Sequence, residues 1–457
     1  MRSNKVTVSR GILAAAVMML AVSAGCRTIN KGLTESVLER KPSREWRVHY
    51  GSRIHYTLTD ETLRDVEFEG ARDANDVVVR YQRGLAEQAQ CIAATTAGLL
   101  SEVEKRTGVT LSTRSTIYLL RLDHRPQYFD IMLSAEPNEF LLPLFVQAGD
   151  ESCASILAQN RSYPYLLTHE LIETSLASGV RGGRVLPDLA WRLFGLRLQV
   201  NNYTRWFREG LANYGGYVAY ETLSKQTPGG PRPCFREALV HTNPFSSLAQ
   251  VGDRLFSWPQ SSNPESERVY YNAALGLFLL IADTFGEPAI RDITRDVAGR
   301  KIVDGHDLVR ITNQVLKTDV RKVAANFEFP RVDLELEPLS PALALNRGVE
   351  LREGLFVVEV PKDSAAARAG LKQKDVITAV GSTPVVNYLD FELGLFQARR
   401  QPTVPLTVQR VGVGTLTIEL PLEKTATHRK GIPPGERQDP LKKDRIEFVH
   451  LSLFPGL

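Results

Sequence analysis

The stretch YPYLLTHELIETSLASG, residues 163–179, holds His169 and Glu170, then two apolar residues, then Glu173. Its apolar spacing predicts a helix. On a helix, positions 169 and 173 lie one turn apart and point the same way, so His169 and Glu173 can reach a common ion. Glu170 projects from the neighbouring position, where a carboxylate can poise a water. With 8 His and 52 acidic residues in 457, about one His–acid pair is expected by chance, so the pair alone decides nothing.

A second stretch adds weight. TRWFREGLANYGGY, residues 204–217, places Trp206, Glu209, Gly210, Ala212 and Tyr214 on another helical pattern. A third, YYNAALGLFLLIADTFGE, residues 270–287, is an apolar helix carrying Tyr271 and stopped by Gly286. Together, in this order, the three motifs resemble the gluzincin metallopeptidases, with their H-E-x-x-H helix, W-x-x-E-G-x-A-x-Y ligand helix and following Tyr helix.

That resemblance covers roughly residues 75–325 and implies an α+β fold, with a mainly helical, thermolysin-like catalytic domain and a small β-sheet. It implies His169 and Glu209 as zinc ligands, Glu170 as general base and Tyr271 as oxyanion donor. This chain departs from the family by placing Glu173 at the second His position, and by a 35-residue gap between Glu173 and Glu209. Zinc accepts His and carboxylate ligands alike, so a His169/Glu173/Glu209 set is chemically sound. Two carboxylates cancel the ion's charge, acidify bound water less, and shift preference towards oxygen-favouring ions such as manganese. The alternative is a retained fold with a dead site, in which Glu170 and Glu173 pair with arginines such as Arg205 and Arg208. A weaker third reading has Tyr163, Tyr165, Trp206 and Tyr214 stacking on sugars.

Downstream, residues 354–410 run GLFVVEV, DSAAARAGL, KDVITAVGSTPV, NYLDFELGLFQA and PTVPLTVQR. Asp363 or Ser364 caps a short helix there, and Gly370 permits a left-handed exit. This pattern resembles a bacterial PDZ domain, a small β-barrel-like module that takes an extended peptide as an added strand. By that resemblance the carboxylate-binding loop falls at Leu339, Ser340, Ala342 and Leu343. A gluzincin-like domain followed by PDZ also resembles the glycyl aminopeptidase family. The partners implied are peptides, or unfolded and secreted proteins, held by the cleft and the PDZ domain. A catalytically inactive chain would act as a peptide-binding envelope scaffold instead.

The N-terminus reads as a targeting segment. The basic MRSNKVTVSR precedes the apolar GILAAAVMMLAV, and Ser23-Ala24-Gly25-Cys26 resembles a lipobox that would place a lipid on Cys26. Twelve apolar residues are too few to span a bilayer. Export and anchoring in the cell envelope follow, facing the periplasm, and Arg27 after Cys26 favours the outer membrane. The net charge of +4 includes Arg2, Lys5 and Arg10 of this segment, which leaves no basic surplus for nucleic acid.

The domain reading is therefore 1–26 signal peptide, 27–45 tether, 46–328 gluzincin-like domain, 332–422 PDZ domain and 423–457 charged, loosely ordered tail. A helix is expected from Asp73 to Arg106. Cys91, on its apolar face, is expected to be a buried thiol, while Cys153 and Cys234 are free to pair.

Overall fold

The computed structural model describes residues 45–50, 53–59, 68–74, 76–111, 115–121, 132–133, 139–144, 152, 163–177, 203–226, 243–258, 264–300, 304–330, 332–339, 341–351 and 353–423. Cys26, the signal segment and the tail after 423 lie outside them. So do the Gly- and Arg-rich insert at 179–186 and the TPGGPRPCF stretch. Two compact units divide the chain. One holds residues 1–102, 110–175 and 219–233; the other holds 103–109, 176–218 and 234–457.

The first unit is built on a mixed sheet of seven strands, larger than the small sheet expected. These are β1 (Glu45–Tyr50), β2 (Arg53–Thr59), β3 (Phe68–Ala74), β4 (Val77–Gln82), β5 (Ser115–Arg121), β6 (Met132–Leu133) and β7 (Glu139–Leu144), in spatial order β2-β1-β6-β7-β5-β4-β3. β4, β5 and β7 run parallel, and the remaining pairs are antiparallel. Val77, Val79, Ile117, Leu119, Phe140 and Leu142 on the parallel strands are buried and, in register, line one face of the sheet. Pro143 is tolerated because it pairs with Leu120 of β5 alone; β6 reaches only Phe140 and Leu141.

The helix expected from Asp73 begins later. Helix α1 spans Ala86–Thr107, and the residues before it form the β3–β4 hairpin. The run Val77-Val78-Val79 is β-branched and favours the strand, while Gly84, at φ 80°, breaks the chain before α1. On α1, Cys91 is disulfide-bonded rather than a free thiol. Cys26, Cys153 and Cys234 all lie outside the described residues. Helix α2, Tyr163–Ala177, belongs to this unit up to Ser175, as do residues 219–226 farther along the chain.

The second unit takes the last turn of α1 and the N-terminal part of α3 (Arg205–Gln226), and continues with α4 (Pro244–Val251), a 3-10 turn (Gly252–Ser257) and α5 (Pro264–Phe285). Helices α6 (Glu287–Ala298), α7 (Gly305–Leu316) and α8 (Val320–Ala325) follow. α5 stops at Gly286, whose φ of 80° suits a residue without a Cβ. Among the described residues no single helix is long and apolar enough to cross a membrane.

A β-sheet domain follows in the same unit, with β8 (Glu335–Pro338), α9 (Pro341–Arg347), β9 (Leu355–Glu359), α10 (Ala365–Arg368), β10 (Val376–Val380), β11 (Thr383–Pro384), α11 (Tyr388–Ala398), β12 (Thr403–Arg410) and β13 (Gly414–Pro421). Strand order is β13-β12-β10-β9-β8, with β11 paired to β10. Ser364, rather than Asp363, caps α10 by accepting from the Ala367 amide at 3.1 Å. Arg410 grips the buried Asp375 through two hydrogen bonds of 2.7 Å, tying β12 to the turn before β10.

Candidate functional site

On α2, His169 is 9% exposed and lies among the buried Leu167, Thr168, Leu171 and Ile172. Its Nε2 faces Glu173 Oε2 at 4.0 Å, one helical turn on. The Tyr165 ring stacks near the imidazole, with centroids 6.1 Å apart and an interplanar angle of 21°. Tyr165, His169 and Glu173 therefore share one face, as their spacing predicts. Glu170 is part-exposed beside it. A 4.0 Å separation is too long for a hydrogen bond. It suits two ligands of one ion, which at zinc bond lengths of about 2.1 Å stand about 3.4–4 Å apart.

In the second unit Glu209 is 4% exposed on α3. Arg205, one turn earlier, sits 3.4 Å from its Oε1. The same guanidinium meets Glu267 Oε2 at 2.6 Å and donates to the Tyr271 hydroxyl at 2.6 Å. Tyr271 in turn donates to Glu209 Oε1 at 3.4 Å. Arg205 also lies over the rings of Trp258 and Tyr271, at 4.6 and 5.0 Å. Burial alone would lower the Arg205 pKa, but Tyr271, Glu209 and Glu267 outweigh it and raise the value, so the cation is firmly held. Asn213 donates to the Tyr271 carbonyl at 3.2 Å. Gly210 permits the close approach of α3 to α5: a Cβ there would stand 2.7 Å from the Phe278 ring.

The structure thus brings His169 and Glu173 together on one helix, and Glu209 and Tyr271 together in the other unit. His169, Glu173 and Glu209 all carry ligand atoms able to hold a metal ion. Sequence reasoning paired Arg205 with Glu170 or Glu173; it instead binds Glu209, Glu267 and Tyr271. Glu267 went unnoticed, although its i, i+4 spacing to Tyr271 on α5 was a readable signal. Stacking on sugars is not open to Tyr165, Trp206 or Tyr214, which are buried at 4%, 0% and 1% exposure; Tyr163's side chain lies outside the description.

The carboxylate loop expected at Leu339–Leu343 is also corrected. Leu339 is buried with Ala344, Phe356 and Val376, and Leu343 packs against that cluster. Pro341 opens α9 instead of a loop, the first-turn position that suits its missing N–H. Ser340 and the Ala342 side chain lie outside the description. One edge of the sheet is β8, which precedes these residues, and the Tyr388 hydroxyl at the start of α11 donates to the Leu336 carbonyl on it.

Residues 336–422 match the family model described as PDZ domain. Two similar curated proteins are Do-like HtrA serine proteases. That of Lactococcus lactis subsp. cremoris (strain MG1363) is 32% identical over 110 residues, 24% of this chain and 27% of that protein. That of Lactococcus lactis subsp. lactis (strain IL1403) is 29% identical over 133 residues, 29% of this chain and 32% of that protein. The chain thus spans about a third or less of these relatives. Among solved structures, the HtrA3 PDZ domain bound to a phage-derived ligand (FGRWV) is 22% identical, covering 21% of this chain and 88% of that chain, with a TM-score of 0.19. The HtrA-type protease AlgW with a decapeptide is 19% identical, covering 27% and 35%, with a TM-score of 0.21. The chain carries a PDZ domain at its C-terminal end, over residues 336–422.

Proposed function

We propose that the chain is an exported, lipid-anchored, metal-dependent peptidase in which His169, Glu173 and Glu209 hold the ion and the PDZ domain binds extended peptides. The observation that carries this reading is the facing of His169 Nε2 and Glu173 Oε2 at 4.0 Å from one side of α2. Bound zinc, or manganese given two carboxylates, would supply electrophilic activation of the peptide carbonyl. Glu170 acts as general base and takes the proton of the attacking water. Tyr271, with Arg205 behind it, offers its hydroxyl to the developing oxyanion. A peptide adds as a strand along the outer edge of β8, facing α11, with its carboxylate near residues 332–334. Lipidation at Cys26 would fix the chain to the envelope, with the outer membrane favoured by Arg27. The Cys91 disulfide supports an oxidising compartment.

One observation favours a second reading. Arg205 already neutralises Glu209 and engages Tyr271, as in a site that has exchanged a metal for a cationic side chain. The chain would then be a non-catalytic scaffold that binds peptides through its PDZ domain.

Elemental mass spectrometry of the full chain and of Glu209→Ala, after dialysis against trace zinc and manganese, separates the two. About one equivalent of metal in the first and none in the second is expected. Absence of metal from both leaves the scaffold.

A further inference from the structure

Helix α11 of the PDZ domain carries Tyr388, Glu392, Phe396 and Arg399. At 3.6 residues per turn these four lie within about 80° of arc, on one stripe of the helix. The chain itself engages each of them. The Tyr388 hydroxyl donates to the Leu336 carbonyl of β8, which turns the stripe towards that edge strand. Glu392 Oε2 accepts from Phe245 N of α4 at 2.7 Å, and both its oxygens lie 3.3 Å from Ser246 N. The Phe396 ring stacks on Phe245 at 3.9 Å and 4°, with Phe327 and Phe329 alongside. Arg399 lies over the Phe396 ring at 3.7 Å and reaches Asp283 of α5 at 2.6 Å.

The sequence of α4 prepares it for this contact. Its N-cap residue, Asn243, makes no side-chain bond to the helix amides, and its Oδ1 instead accepts from Asn272 Nδ2 at 2.7 Å. The first turn of a helix leaves amides that need acceptors and favours a negative group beside them. The Glu392 carboxylate supplies both. Phe245, Glu392 and Phe396 are all buried, and α4, α5 and the PDZ domain belong to the same unit.

We propose that the peptide groove of the PDZ domain is closed by the chain itself. The first turn of α4, led by Phe245, occupies the α11 wall, so that α4 docking and peptide binding exclude one another. This rests on the reading that a peptide adds along β8 facing α11. An added strand needs main-chain partners on the edge and room beside it for alternate side chains. Tyr388 holds the Leu336 carbonyl, and Phe245 fills the space over Phe396. Opening withdraws Phe245 from Phe396 and its amide from Glu392, and leaves the PDZ sheet as it is. The apparent Kd for peptide is then the intrinsic value divided by the open fraction. By linkage, a bound peptide loosens α4 by the factor through which α4 weakens the peptide.

Phe245 lies outside the PDZ domain, so Phe245→Ala opens the groove without changing the domain's own residues. Random heptapeptide arrays with free C-terminal carboxylates are probed with the full wild-type chain and with this variant. The strongest peptide from either array titrates both chains by fluorescence anisotropy. The variant is expected to bind tighter by about ten-fold or more. Equal or weaker binding by the variant overturns the closure and leaves the peptide reading standing, whereas no binder for either chain overturns both. In the wild type, saturating peptide is expected to speed hydrogen exchange at the Phe245 and Ser246 amides by about ten-fold or more. Unchanged or slower exchange overturns the closure. Should Phe245→Ala not fold, Phe245→Leu takes its place, since it stays apolar and loses only the ring stack. Its expected gain in affinity is about three-fold, and an unchanged affinity again overturns the closure.

Discussion

Arg205 donates to the Tyr271 hydroxyl at 2.6 Å while the same guanidinium meets Glu267 at 2.6 Å and Glu209 at 3.4 Å. One cation thus serves two carboxylates and the candidate oxyanion donor. Removing it takes the cation away from two largely buried carboxylates, which costs more than the pair contributes. Arg205→Ala is expected to lower the unfolding free energy by about 3 kcal/mol in urea titration. An unchanged midpoint would mean the cluster is solvated and not structural.

Gly210 neighbours Glu209 at the crossing of α3 and α5, where an added Cβ meets Phe278 at 2.7 Å and the Ala274 carbonyl at 3.1 Å. The Ala274 contact is backbone and cannot swing aside. Gly210→Ala should destabilise by about 2 kcal/mol through overpacking, read as a lower thermal midpoint. A gain in helix stability with no loss elsewhere would refute the close approach.

Glu170 is part-exposed and assigned chemistry rather than metal holding. Glu170→Gln is expected to cut peptide hydrolysis by about 100-fold or more while metal content and the circular dichroism spectrum stay as they are. Retained hydrolysis would remove Glu170 from the mechanism.

In the PDZ domain, Asp375 is 1% exposed and gripped by Arg410 through two bonds of 2.7 Å. It also accepts from the Lys372 amide at 2.8 Å. Asp375→Asn keeps the shape but breaks the charge pairing, with an expected loss of about 3 kcal/mol. Denaturant titration followed through PDZ fluorescence or exchange would show it, and a loss within measurement error would count against the pair.

Cys91 is disulfide-bonded on α1. Peptide mapping without reductant should recover a cross-linked Cys91 peptide and name its partner. Reduction should lower stability by about 3 kcal/mol. A free Cys91 thiol in protein from an oxidising compartment would contradict the bond.

Much of the local structure was legible in the residues themselves. HELIET and WFREG carry helical spacing, so α2 and the start of α3 could be read, as could the ending of α5 at Gly286. Likewise DSAAARAGL has a capping Ser364 and an exit at Gly370, whose φ of 92° suits glycine. The reading failed where local signals compete. DANDVVVRYQ contains good turn and strand formers before a helix, and tertiary pairing with β5 makes Val77–Gln82 a strand. LSPAL reads equally as loop or helix start, and only burial of Leu339 against Phe356 and Val376 decides for the helix.

By itself, the sequence determined which side chains share a helix face, because side-chain type and helical spacing are local properties: His169 and Glu173 on one face, Glu209 on a second helix, a PDZ pattern near the C-terminal end. Only the tertiary structure decided which charges meet. Arg205 joins Glu209, Glu267 and Tyr271, and Glu392 caps a helix 147 residues away. Such long-range pairings follow from the way whole elements pack to bury apolar surface, and a buried carboxylate must then find donors wherever packing has left them.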